Sequence, residues 1–262
     1  MSAGELRLLR GLISAALIGE AVATLREMAE VLGAPAEGDL DDRISFLAAG
    51  DRAALSTIYD AFRESLIFQR IIAAEPLVEA ARAMTGADRV HAPFQHAVFR
   101  MDLAGEAWRG FGWHQDYPYN MLSEAYVTAW LPLTDSGPHN GSIQAAPNRS
   151  DRIHPVEIRF KRNAAGERLA TRDAFIAERL QPEFDADAQT LELKAGDAAL
   201  FDNRLVHRSG FNPGPRHRYS IQVRFGALMA PEVVARRWAN RRQDGFETFK
   251  ALHPELVEFE ET

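Results

Sequence analysis

The stretch Gly112-Trp113-His114-Gln115-Asp116, read with His207-Arg208-Ser209-Gly210-Phe211-Asn212 and Arg218-Tyr219-Ser220 downstream, decides the fold of this chain. His114 and Asp116 stand two apart. On a strand, side chains two apart point to the same face, so an imidazole and a carboxylate are offered side by side. His207 supplies a third ligand from a neighbouring strand. Two histidines and one carboxylate, with open positions opposite, suit non-haem Fe(II) that must also hold a co-substrate and O2. A His-x-Asp alone occurs by chance, often as a surface pair. The second histidine, a turn and a fixed cation in that order make this one specific.

Taken together, Trp113-His114-Gln115-Asp116, Ala129-Trp130-Leu131-Pro132-Leu133, Asn140-Gly141-Ser142, Gly196-Asp197, His207-Arg208-Ser209-Gly210 with Asn212, and Arg218-Tyr219-Ser220 form an ordered set over residues 89 to 228. In this the chain resembles the phytanoyl-CoA dioxygenase family of Fe(II)- and 2-oxoglutarate-dependent oxygenases. One departure is visible. The family often has Pro-Gly-Ser-His after the Asn-Gly strand, and here Pro147-Asn148-Arg149-Ser150-Asp151 stands instead. Asn tolerates the left-handed conformation, so the turn survives. The change bears on the substrate rather than the chemistry.

The resemblance implies a double-stranded β-helix, a mainly β jelly roll with flanking helices. It also implies Fe(II) as cofactor, 2-oxoglutarate as co-substrate and O2 as oxidant. His114, Asp116 and His207 would hold the metal. Related halogenases have a small residue in place of the carboxylate, so Asp116 points to hydroxylation or another oxidation. Arg218 lies eleven residues after His207, and its planar charged fork suits the distal carboxylate of 2-oxoglutarate. Arg216 lacks the family's Arg-x-Ser spacing, which Arg218-Tyr219-Ser220 satisfies. The resemblance further implies co-substrate roles for Ser209 and Trp130, and places Gln95 and Arg100 near co-substrate or substrate, with Arg where family members have Lys. Tyr117, Tyr119 and Asn120 follow the metal carboxylate directly and are candidates for substrate contact, as is His96. Arg224 reaches either an anionic substrate or a salt-bridge partner. By strand parity, Arg218, Ser220, Gln222 and Arg224 share one face, expected at the barrel mouth. Tyr219, Ile221, Val223 and Phe225 share the other, expected inside the sandwich.

The 262 residues, 46% hydrophobic and 26% charged, suffice for a sizeable core and read as one domain. The parts are a helical segment over about 1–88, the jelly roll over about 89–228 and a helical tail over about 229–262. Net charge is −7 with no basic run, which argues against a nucleic-acid partner and leaves a small-molecule substrate as the expectation. The absence of cysteine excludes disulfides and thiolate metal sites and fits a cytoplasmic location. No apolar stretch reaches membrane length. Arg7, Arg10 and the run Leu12 to Ile18 superficially resemble a signal peptide, but Glu20 interrupts the run and the helical period continues to Leu32.

Apolar spacing predicts helices over 5–32, 51–70 and 76–84, with a short one after Asp39. From Arg89 the pattern shortens to strands: 90–101, 111–115, 126–133, 142–145, 153–160, 191–193, 198–202 and 218–228. A helix is expected over 171–180, with 161–168 leading into it, either as a lid or as an ordinary insertion. Another is expected over 231–252. The competing assignments are a cupin-like isomerase or hydrolase, which would not need Arg218, and a non-catalytic jelly-roll module, whose signature would be degenerate ligands.

Overall fold

A computed structural model describes residues 3–106, 110–120, 123–163, 165–238 and 245–262, with no description of the Asn120 side chain. The chain opens with strand β1 (Leu6–Leu9), followed by helices α1 (Ala15–Val31), α2 (Leu40–Gly50), α3 (Arg52–Glu64), α4 (Leu66–Ile72) and α5 (Glu75–Thr85). Strands β2 (Val90–His91) and β3 (Val98–Asp102) lead to a short α6 (Tyr117–Asn120), then β4 (Tyr126–Pro132), β5 (Ile143–Ala145), β6 (Val156–Arg162) and β7 (Arg168–Ile176). After α7 (Gln181–Ala186) come β8 (Gln189–Thr190), β9 (Ala198–Asp202), β10 (His207–Ser209) and β11 (Arg218–Ala227). Helices α8 (Pro231–Ala235) and α9 (Gly245–Leu252) and strand β12 (Val257–Glu260) follow.

The helices form where local chemistry starts and stops them. Ser14 caps α1 by accepting from the Leu17 amide, and Asp39 and Asp42 form a reciprocal capping box at α2. Gly86, at φ 70°, ends α5 in the left-handed conformation. Ile18, Ala21, Leu25 and Ala29 make the buried stripe of α1. Phe62 of α3 is fully buried, its ring 4.6 Å from Phe99 of β3, so the helical layer and the sheet share one core.

The large sheet has the order β1-β9-β4-β11-β2, with β3 also pairing β11. A second sheet, β10-β5-β8, faces it, and β12-β6-β7 forms a third. The expected mainly β jelly roll with flanking helices is present, built of open sheets rather than a closed barrel. Register places Thr128 opposite Arg224, Trp130 opposite Gln222, Arg100 opposite Ser220 and Asp102 opposite Arg218. These side chains form the inner face of the large sheet. Trp130 there meets Ile143, Ala145, Leu191 and Leu205. The other face of β11 departs from expectation. Tyr219, Ile221, Val223 and Phe225 pack against the helices, in one core with Leu25, Ile58 and Phe62. The N-terminal helices cover the outer face of the sheet, so the apolar parity lies there and the polar parity lies inside the sandwich.

Several boundaries also differ. Leu6–Leu9 is a strand paired with β9, not the start of a helix. Gly11, at φ 57°, turns the chain before Ser14 starts α1. The helix expected over 51–70 is two, because Ser65 is extended and caps α4. Residues 111–115 are not a strand; His114 makes only an isolated bridge to His207. The 90–101 segment is β2 and β3, separated by a turn over Phe94–His96. Residues 171–180 are not a helix or a helical lid. They lie mostly in β7, which pairs β6 from Val156↔Ile176 outward. The 231–252 segment holds α8 and α9, and residues 239–244 between them lie outside the described set. Among the described residues, no helix is long and apolar enough to cross a membrane.

Gly141 links the fold to the site. Its φ is 67°, and a Cβ there would lie 2.4 Å from the Phe211 carbonyl carbon. Any side chain would push away the loop that follows His207. Gly141→Ala is expected to cost at least about 2 kcal/mol, combining backbone strain with displacement of that loop. A thermal melt unchanged from wild type would refute this reading.

Candidate active site

The site lies between the two sheets. His114 and His207 are joined by two main-chain hydrogen bonds, from the His114 amide to the His207 carbonyl at 2.9 Å and back at 3.0 Å. Their ring centroids are 4.0 Å apart. Each ring is oriented by a carbonyl two residues before it. His114 Nδ1 lies 2.8 Å from the Gly112 carbonyl, and His207 Nδ1 lies 2.9 Å from that of Leu205. That contact makes Nδ1 the protonated nitrogen and leaves Nε2 with a free lone pair for a metal. Asp116 Oδ1 lies 3.9 Å from His114 Nε2. One donor atom from each of His114, Asp116 and His207 falls within 4.8 Å of the others, and all three residues are buried.

Several residues brace this trio. Gln115 holds three main-chain groups, donating to the Arg152 and Arg204 carbonyls and accepting from the His154 amide. The Tyr126 hydroxyl donates to the Asp116 carbonyl. The Thr128 hydroxyl donates to Asp116 Oδ2. Arg224 is salt-bridged to Asp116 and 9% exposed, so the salt-bridge partner expected as one of its two alternatives is Asp116. Thr128 carried a readable signal, since it shares a strand face with Trp130. The partner of Arg224 did not, being 108 residues away.

Electrostatics set the protonation states. Burial pushes His114 well below the ordinary histidine value, and His207 beside it adds to the shift. Burial likewise lowers His207. Burial acts to raise Asp116, but Arg224, then the two histidines and the Thr128 hydrogen bond, hold it far below the usual carboxylate range. The trio is therefore in its metal-binding form at neutral pH.

These shifts fix a pH dependence. The unfolded chain binds protons near the ordinary value of 6.5, where folded His114, His207 and the similarly lowered His154 do not. The stability they contribute is full above that value and is lost as pH falls below it. As pH falls from about 7.5 to 5.5 the metal-free protein should lose stability, with the strongly lowered His114 contributing most. Thermal melts across this window test it, and a flat profile would refute it. Against the effect of burial, Arg224 keeps Asp116 ionised in the folded chain, and Arg100 and Arg218 keep Asp102 so. Their contribution is therefore full above the ordinary carboxylate range and is lost as pH falls through it, where the unfolded chain takes up protons first.

The second half of the site has the chemistry to receive a carboxylate. Arg218 is 2% exposed, and its Nη2 lies 2.9 Å from Asp102. Asp102 is also paired with Arg100 at 2.7 Å. Burial acts to raise Asp102, but Arg100 and then Arg218 hold it well below the carboxylate range. Two guanidiniums thus share one carboxylate. Arg218 Nε and Nη1 and the Ser220 hydroxyl are buried without a hydrogen-bond partner among the described residues. Each unsatisfied buried donor costs about 1–3 kcal/mol, and an incoming carboxylate would satisfy all three.

The remaining expected residues divide. Trp130 is buried on the inner face, and Ser209 sits half-buried two residues after His207. Gln95 is exposed on the Phe94–His96 turn, whereas His96 is buried and gives its carbonyl to Arg224. Tyr117 packs with Val156, Ile158 and Phe249, its hydroxyl 3.3 Å from His253. Tyr119 lies beside the metal trio, 6.0 Å ring to ring from His114, and its hydroxyl bonds Ala174. Phe111, whose ring is 4.3 Å from His114, and Phe175, 5.0 Å from Phe111, extend this half-exposed aromatic wall. The strand assignment for 111–115 had hidden Phe111, and the helix assignment for 171–180 had hidden Phe175.

The donor set fits iron. Two neutral imidazole nitrogens and one carboxylate, on one side of a space closed by the sheets, match a facial Fe(II) site. The receptor fits 2-oxoglutarate, because the unsatisfied donors of Arg218 and Ser220 call for a carboxylate. Solved structures of similar fold include SnoN with Fe3+, alpha ketoglutarate and a nogalamycin compound. It is 17% identical with a TM-score of 0.59, covering 89% of this chain and 84% of that one. The apo form of the non-heme monooxygenase ThoJ is 18% identical, TM-score 0.57, covering 87% and 75%. EctD from S. alaskensis, with 2-oxoglutarate and 5-hydroxyectoine, is 20% identical, TM-score 0.54, covering 86% and 73%. Sequence comparison with curated proteins finds no match. The family model described as phytanoyl-CoA dioxygenase matches residues 10–220, a span holding the metal trio, Arg218 and Ser220, and the chain belongs to that family of Fe(II)- and 2-oxoglutarate-dependent oxygenases.

Proposed function

We propose that this chain oxidises an unactivated C–H bond of a small-molecule metabolite, with hydroxylation as the outcome. The reading is carried by one observation. A buried His-Asp-His trio, its His207 on β10 of the second sheet, occurs with a buried arginine that has unsatisfied donors on β11 of the large sheet. When bound, iron with 2-oxoglutarate and O2 supplies the oxidising power, placing one oxygen atom in succinate and the other in the substrate.

The chain's own share is binding, orientation and exclusion of water. His114, Asp116 and His207 hold the metal from one side. Arg218 and Ser220 receive the distal carboxylate of 2-oxoglutarate, and the fixed guanidinium sets its direction. Trp130 closes the apolar side of that pocket. Tyr119, Phe111 and Phe175 offer the substrate an apolar wall beside His114. Asn120 belongs to the same loop, and Gln95, exposed on its turn, is left a role at the entrance. Arg100, opposite Ser220 in the register, adds positive charge near the co-substrate.

Structures of this fold include an epimerase and a monooxygenase, so the test must separate these outcomes. Anaerobic Fe(II) followed by 2-oxoglutarate should give a weak visible charge-transfer band that needs both. Candidate metabolites are then screened by succinate release under 18O2. Label in the product supports hydroxylation. Coupled succinate release with an unlabelled, isomerised product would reject hydroxylation, and the absence of the band would reject the cofactor reading.

A further inference from the structure

Asp116 is held from two sides. Arg224 donates from Nε to Oδ2 and from Nη2 to Oδ1, both at 3.3 Å, and the Thr128 hydroxyl also donates to Oδ2. A carboxylate offers about two acceptor sites on each oxygen. Both are taken on Oδ2. On Oδ1 one is taken, and this is the oxygen that lies 3.9 Å from His114 Nε2. Arg224 cannot swing away easily. Its Nη1 donates to the His96 carbonyl at 3.1 Å and its Nη2 to Gln222 Oε1 at 3.1 Å.

From this count of acceptor sites we infer that Arg224 is a positioning residue that restricts Asp116 to single-oxygen coordination through Oδ1. The inference rests on the iron and 2-oxoglutarate reading above and says how this chain keeps that site open. Carboxylates bind metals through one oxygen or two. An octahedral metal with three protein donors has three positions left for a chelating co-substrate and O2. A second oxygen from Asp116 would fill one of them.

The test is a pair of titrations on full-length wild type and on Arg224→Met, Arg224→Lys and Thr128→Val. Fe(II) affinity is measured anaerobically against a competing chelator. 2-Oxoglutarate affinity is then read from the visible band of the Fe(II)-loaded protein. In Arg224→Met the 2-oxoglutarate dissociation constant should rise about tenfold or more, while Fe(II) binds as tightly as in wild type or tighter. Arg224→Lys keeps one charged donor and should fall between. Thr128→Val is nearly isosteric and frees the same oxygen, so it should shift the same way by less, which keeps the test alive if Arg224→Met folds poorly. An unchanged 2-oxoglutarate affinity in Arg224→Met and Thr128→Val overturns the inference. So does a joint fall in both affinities, which would mean general damage to the ligand set. A wild-type protein with no band would overturn the functional reading itself, and the inference with it.

Discussion

Asp116→Ala should abolish substrate-dependent succinate release and lower Fe(II) affinity by at least about 100-fold, beyond the usual effect of losing a residue that merely supports a ligand. The substitution removes the one anionic donor of the trio. It also strands Arg224, whose salt bridge runs to this carboxylate. Breaking a buried pair from one side costs about 3–5 kcal/mol, so a lower melting temperature should accompany the loss. Asp116→Asn separates the two effects, because it keeps the shape and an acceptor for Thr128 and Arg224 while removing the charge. Wild-type succinate release from a folded Asp116→Ala protein would sink the metal assignment.

Arg218→Leu should raise the 2-oxoglutarate dissociation constant by about 100-fold or more, the range for removing one partner of a buried charge-assisted pair. Fe(II) affinity should stay near wild type, since Arg218 is not among the metal-binding trio. Folding should survive better than in Asp116→Ala, because Asp102 keeps its ion pair with Arg100. Arg218→Lys should recover part of the affinity, having the charge without the planar fork. Equal losses of metal and co-substrate binding would place Arg218 in the scaffold rather than the receptor. Activity retained without 2-oxoglutarate would favour the isomerase or hydrolase alternative.

His114, Asp116 and Arg218 stand out in the sequence by short-range order, and His207 by the Gly/Pro turn that links it to Arg218. His114 and Asp116 are two apart, and Arg218 and Ser220 repeat that spacing on β11. What the sequence hid is what depends on partners far along the chain. Thr171 to Leu180 contains Ala, Glu, Arg and Leu in a helical spacing, yet β6 draws most of it into an antiparallel pair. Leu6 to Leu9 continues the helical period of α1, but β9 takes it as a strand. The parity of β11 was read correctly and its direction was not, since only the placement of α1 to α5 decides which face is outside. Arg224 was left between two roles because nothing local marks Asp116 as its partner.

The pairing of β1 with β9 bears on how the molecule behaves at high concentration. Without Leu6–Leu9, the main chain of Ala198–Phe201 would form an open border of the large sheet, apolar and ready to template another chain. With it, the border is four residues long, carries the exposed Arg7, and ends at the turn of Gly11. Brevity and charge are what keep sheet borders from joining one another. Lesions that weaken this pairing therefore bear first on solubility and recovery, and a poorly soluble variant there says little about catalysis.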